Sequence, residues 1–142
     1  MPKMIFVNLP VQDLAAATSF YEAIGCEKNP LFSDDKASCM VWSDSIYFMV
    51  LSKEFFSSFT SKAIADARTT TEVLTALSFD RRSDVDAIAE AAAAAGGRAD
   101  IRAPTDAGWM YQRAFEDPDG HIFEAVWMDM EAASTALDAE KA

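Results

Sequence analysis

The sequence is poor in the residues that carry most metal and covalent chemistry. It has one histidine and two cysteines among 142 residues. With His121 as the sole imidazole, no His–His metal pair exists. No Ser/His/Asp or Cys/His arrangement can be assembled around it either. Cys26 and Cys39 form neither a CxxC nor a Cys/His cluster. That excludes a disulfide scaffold and a structural zinc site, and Cys39 reads as a small apolar filler of a strand. Cationic residues are scarce: 12 Lys and Arg face 23 Asp and Glu, for a net charge of −11. Phosphate backbones and anionic membranes both want clustered Lys and Arg, so neither nucleic acid nor membrane is expected as a partner. No apolar run approaches the roughly 20 residues that a spanning helix needs. The alanine-rich run from Ala87 to Ala95 is interrupted by Glu90. The opening residues Met1–Asn8 read as a strand and not as a signal peptide, so the expected compartment is a reducing cytoplasm.

What is present is an ordinary globular composition, 51% hydrophobic and 25% charged. It suits a single domain with one sizeable core. Residues 4–9 are apolar and β-branched and stop at Pro10, which predicts a strand. Asp13 caps a predicted helix with Leu14, Ala17, Phe20, Tyr21 and Ile24 on one face, ended by Gly25. Strand-like runs follow at 27–32, 37–42 and 46–51. A connector without clear period covers 53–70 and holds Phe55, Phe56 and Phe59. The pattern then restarts. A strand at 72–79 precedes a helix capped by Ser83 and stopped at Gly96-Gly97. Further strands are predicted at 98–103, 109–115 and 122–128.

Both halves thus read strand, helix, glycine stop, three strands, which is an internal repeat. The expected fold is α+β: two tandem βαβββ modules forming an open curved sheet around a cleft. One domain is expected over 1–128, with module 1 at about 1–52, the connector at 53–70 and module 2 at about 71–128. A helix-prone tail covers 129–142. In the repeat, Asp44-Ser45-Ile46-Tyr47-Phe48 answers Gly120-His121-Ile122-Phe123-Glu124. A second module covers the open face of the first, and the concavity between them suits a small molecule.

Two stretches carry a family resemblance. Val7-Asn8-Leu9-Pro10-Val11-Gln12-Asp13-Leu14 followed by Ser19-Phe20-Tyr21-Glu22-Ala23-Ile24-Gly25 resembles the opening strand and helix of the vicinal oxygen chelate superfamily. Phe115-Glu116-Asp117-Pro118-Asp119-Gly120-His121-Ile122-Phe123-Glu124 resembles its closing hairpin and last strand. That superfamily includes glyoxalase I, extradiol dioxygenases, fosfomycin-resistance enzymes and bleomycin-resistance proteins. The resemblance covers roughly residues 4–128. It implies paired modules around a cavity. In the metal-dependent members it implies one His, Glu or Gln ligand on the first and last strand of each module. Those positions fall here on Phe6, Phe48, Leu74 and Glu124. Phe and Leu offer no lone pair, so three of the four positions cannot bind an ion. No cofactor is expected, and a divalent metal would have only Glu124.

Alternation along the last strand turns Glu124 into the cleft, as a lone metal ligand, a general base or an anchor for a cation, or as a relic paired with Arg113 or a similar group. Asn8 shares the face of Phe6 and offers an amide to a ligand. Trp109, Tyr111 and Arg113 alternate onto one strand face and, with Phe48, suggest an aromatic lining for a flat or cationic molecule. Phe55, Phe56 and Phe59 are candidates for a lid or a subunit interface. His121 follows a turn glycine and reads as structural.

The first functional reading is therefore a metal-free protein that binds a small, aromatic or cationic molecule. The alternative is a glyoxalase I-like metal-dependent lyase or isomerase, or a dioxygenase, using Glu124. An epimerase with Glu124 as a metal-free base and a ligand-free interaction module are weaker readings. A homodimer is expected, because an open sheet leaves an edge for a symmetric partner.

Overall fold

The computed structural model describes residues 2–141; Met1 and Ala142, at the ends of the expected spans, lie outside it. Strand β1 (Ile5–Val11) leads into helix α1 (Leu14–Ala23). The Asp13 side chain caps this helix by accepting from the Ala16 amide at 3.0 Å. Strands β2 (Glu27–Asn29), β3 (Ala37–Val41) and β4 (Ile46–Ser52) complete the first module. The predicted strand at 27–32 is shorter than expected, because Pro30–Phe32 forms a 3-10 turn capped by the Asn29 side chain. The first sheet has the order β1-β4-β3-β2, with β1 and β4 parallel.

A short helix α2 (Lys53–Ser57) opens the connector. Strand β5 (Thr75–Phe79) and helix α3 (Arg82–Ala94) begin the second module. Ser83 lies inside the first turn of α3 and is not its cap. Arg81 holds the cap position without a side-chain bond to the helix. The predicted strand at 98–103 is cut short to β6 (Arg98–Ala99), and a separate short strand β7 (Thr105–Asp106) lies beyond it, both paired with β8 (Met110–Glu116). The break falls at Asp100, whose φ of 54° is left-handed. Aspartate tolerates that region, and Arg113 holds its carboxylate with two hydrogen bonds. Strand β9 (Ile122–Met128) runs parallel to β5 and closes a sheet ordered β5-β9-β8-β6. Helix α4 (Met130–Lys141) occupies the helix-prone tail.

The two modules meet on their helix-bearing sides and share one core. Tyr21 of α1 packs against Phe48 of β4 and Phe123 of β9, with ring centroids 5.9 and 6.0 Å apart. Phe48 and Phe123 meet edge to face at 5.4 Å, and Phe115 stacks on Phe123. Burying each such ring contributes about 1.5–3 kcal/mol. From α3, Val85, Ile88 and Ala92 enter the same cluster. Gly97 lets the chain after α3 come close: a Cβ there would lie 2.3 Å from the Glu116 carbonyl oxygen and 2.7 Å from the Phe20 ring. The sheet faces turned away from the helices are open in the single chain.

Candidate functional site

Alternation decides which residues reach the open faces. In β1, Leu9 and Val11 are buried, whereas Phe6 and Asn8 are exposed on the opposite side. Register then pairs Phe6 with Tyr47 and Asn8 with Met49 in β4. The rings of Phe6 and Tyr47 stack at 4.6 Å with an interplanar angle of 12°, and Phe6 keeps 50% of its surface in water. Phe48 points the other way, fully buried in the core. The repeat is therefore shifted by one residue from the sequence expectation. Phe48 corresponds to Phe123, and the open-face residues of β4 are Tyr47 and Met49. A strand has a period of two, so this single shift exchanges the faces.

In the second module, Leu74 precedes β5 and is 52% exposed. Ala76 pairs with Glu124 across β5 and β9. Glu124 lies on the open face of β9, its neighbours Phe123 and Ala125 being buried in the core. Its carboxylate is bound by Arg102 at 2.5 Å, with 14% of its side chain exposed against 47% for Arg102. Arg102 comes from the break between β6 and β7, so the left-handed turn at Asp100 helps bring it there. The expected partner, Arg113 or a similar group, is thus another arginine, Arg102. No local pattern marks that residue.

Tyr111 and Arg113 do alternate onto one face of β8, but it is the face under α3. The Tyr111 hydroxyl donates to Asp86 at 2.6 Å, and Arg113 donates to Asp86 and Asp100. The Tyr111 hydroxyl and Arg113 hold the Asp86 carboxyl below its ordinary range. The carboxylates of Asp100 and Asp86 raise the Arg113 guanidinium further. Arg82 lies over the rings of Tyr111 at 4.6 Å and Trp127 at 5.4 Å, so the aromatic surface already holds an internal cation. Trp109 is half-buried just before β8, its carbonyl accepting from the Asp129 amide.

A cavity of about 710 Å³ lies under the connector. Asn8, Phe56 and Phe59 line it, together with His121, residues 62–65, 67 and 70 of the connector, and residues 71–73 that follow it. Phe55 does not line it but packs edge-on against Phe59 at 5.0 Å. The connector is pinned at its far end. Arg68 donates to the Gln12 side chain and the Pro118 carbonyl, both at 3.1 Å. Gly120 has a φ of 96°, and a Cβ there would lie 2.7 Å from Ala67 backbone atoms. His121 Nε2 lies 2.8 Å from the Pro10 carbonyl oxygen, so that nitrogen carries the proton and donates. This bond ties the last strand to the first.

The open faces offer a poor donor set for a metal. Phe6 and Leu74 have no lone pair, and the Tyr47 hydroxyl donates to the Asp44 carbonyl at 3.0 Å. Glu124 alone is a carboxylate, and it is already paired with Arg102. Among the described residues, no three His, Cys, Asp or Glu side chains converge to hold an ion. These residues do not fit a divalent cation.

Comparison with known proteins places this architecture. Solved structures that share the fold include the following three. A hypothetical protein from S. aureus is 24% identical with a TM-score of 0.74, covering 89% of this chain and 94% of its own. A glyoxalase/bleomycin resistance protein/dioxygenase family enzyme from Burkholderia phytofirmans PsJN is 19% identical with a TM-score of 0.72, covering 89% and 99%. The fosfomycin resistance protein FosX from Mesorhizobium loti is 16% identical with a TM-score of 0.67, covering 94% and 98%. No curated protein matched the sequence. The model of one family matches residues 54–125, half of the chain. The chain belongs to the Glyoxalase/Bleomycin resistance protein/Dioxygenase superfamily.

Proposed function

We propose that this protein binds a small, flat molecule on its open sheet faces without a metal ion. The observation that carries this reading is the side-chain set at the positions where the superfamily resemblance puts metal ligands. Phe6, stacked on its neighbour Tyr47, Met49 and an exposed Leu74 stand there, with Glu124 neutralised by Arg102. An exposed aromatic pair offers a stacking platform. The Glu124–Arg102 pair leaves no free anionic charge for a cation, so the ligand is aromatic rather than cationic. A second copy of the chain closes the open faces, and the homodimer holds the ligand between them. No described helix is long and apolar enough to cross a membrane. The buried free thiols Cys26 and Cys39 accord with a reducing cytoplasm.

Lyase, isomerase or dioxygenase chemistry of the glyoxalase type is the competing reading, and it needs an ion that this donor set does not fit. Metal loading separates the two. The protein is loaded in turn with nickel, zinc, iron and manganese, desalted, and assayed by elemental mass spectrometry beside Glu124→Ala. The expected result is far less than one equivalent of any metal in both proteins. Near-stoichiometric metal that disappears in the variant would replace the binding reading with metal-dependent catalysis. Equilibrium dialysis against a panel of planar aromatic compounds then tests binding itself. Saturable retention weakened by Phe6→Ala is expected, and retention of no compound would sink the proposal.

A further inference from the structure

We propose that the cavity beneath the connector is a second site, beside the open faces, for a zwitterionic molecule with an apolar body, of the kind an aromatic amino-acid derivative presents. Its volume of about 710 Å³ falls within the roughly 300–1,000 Å³ of small-molecule sites. None of Phe6, Tyr47, Leu74 or Glu124 lines it, whereas Asn8 of the open β1 face does, so it adjoins those four positions without including them. Phe56, Phe59, Ile64 and Val73 supply an apolar wall. An apolar wall of this kind favours burial of rings or chains.

The charged groups define the ligand further. Lys62 and Glu72 are the only Lys, Arg, Asp or Glu lining the cavity. The six ion pairs among the described residues include neither of them. One unpaired cation and one unpaired anion on the wall of the same cavity match a ligand that carries both charges. The His121 Nε2 proton is already committed to Pro10, so Asn8 and the connector threonines remain as neutral polar groups. The anchors at Arg68 and Gly120 hold the connector over the cavity and keep this lining in place.

Four dansyl compounds with one fluorophore and different charges test the inference. Nε-dansyl-lysine is zwitterionic, dansylglycine anionic, dansylcadaverine cationic and dansylamide neutral. Fluorescence titration of the full chain carrying Phe6→Ala, which removes the open-face stacking platform, is expected to show one saturable site. Each exposed charge pair contributes up to about 1 kcal/mol, so dansyl-lysine is expected to bind roughly tenfold more tightly than dansylamide. Lys62→Ala and Glu72→Gln each weaken dansyl-lysine about threefold and leave dansylamide unchanged. In the same background Ile64→Glu weakens all four. Thermal unfolding of each variant checks that it folds. Equal affinity for dansylamide and dansyl-lysine would overturn the proposal, as would the absence of saturable binding. Loss of binding in Phe6→Ala would also overturn it, by moving the probe to the open faces.

Discussion

The Tyr21 hydroxyl donates to Asp117 Oδ2 at 2.8 Å, across 96 residues of chain. The pair joins the two stretches that carry the family resemblance. Tyr21 comes from the first helix, and Asp117 opens the Asp-Pro-Asp-Gly turn between β8 and β9. Both side chains are buried. Asp117 Oδ1 accepts from the amides of Asp119 and His121 at 2.9 Å, and Asp119 Oδ1 accepts from the Gln12 amide. The turn is thus a clamp between modules as well as a reversal of the chain. Burial, with the Asp117 charge beside it, holds the Tyr21 phenol well above its ordinary value.

Tyr21→Phe removes one donor and leaves a buried carboxylate oxygen without its partner. Such a loss costs about 1–3 kcal/mol. Urea denaturation should show a lower midpoint with an unchanged slope. An unchanged midpoint would mean that the hydroxyl contributes nothing to joining the modules.

The same carboxylate has a pH signature. Burial raises the Asp117 carboxyl above its ordinary 3.8. A raised value means that the folded chain holds this proton more tightly than the unfolded chain does. Its contribution is therefore present below pH 3.8 and is lost as pH rises through the raised folded value. Asp117→Asn cannot ionise. The stability of the natural protein relative to this variant should be greater at the acid end of that window than at pH 7, measured by denaturation at both. A difference independent of pH would contradict the assignment.

Arg102 and Glu124 should couple measurably but weakly, because the arginine is half in water. A double-mutant cycle with Arg102→Ala and Glu124→Gln is expected to give about 0.5–1 kcal/mol, falling as salt is added. A coupling of zero at low salt would show that the pair does not persist in solution.

The exposed apolar residues at the start of β1 and before β5 predict association. Ile5, Phe6, Val73 and Leu74 each leave half or more of their surface in water. Sedimentation should give a dimer for the natural protein, and Phe6→Asp with Leu74→Asp should shift it toward monomer without unfolding it. A monomer at all concentrations would leave the open faces to the ligand alone.

Much of the fold is legible in the sequence because its signals are local. Asp13 reaches only three residues ahead to cap α1, and the apolar spacing of Phe20, Tyr21 and Ile24 lies within a few turns. The second helix was less legible. Ser83 has the right chemistry for a cap, yet the chain turns helical one residue earlier, at Arg82. The early end of the strand predicted at 98–103 was hidden too, since its cause is Arg113 holding Asp100 from the neighbouring strand.

The site shows the same limit more sharply. Alternation in the sequence determined that Phe48 and Tyr47 lie on opposite faces, and that Tyr111 and Arg113 share one. It did not determine which face meets the helix, because period-two patterns look alike from either side when both faces are apolar. Packing decided that: Phe48 fills the core against Tyr21 and Phe123, and Asp86 of α3 claims Tyr111 and Arg113. Composition by itself determined that a single histidine allows no His–His metal pair, whereas the apolar ligand positions are what the family resemblance implies. Only the tertiary structure joined Arg102 to Glu124 and Tyr21 to Asp117, because side-chain charges and hydroxyls act over a few ångströms and the sheet topology sets which of them come that close.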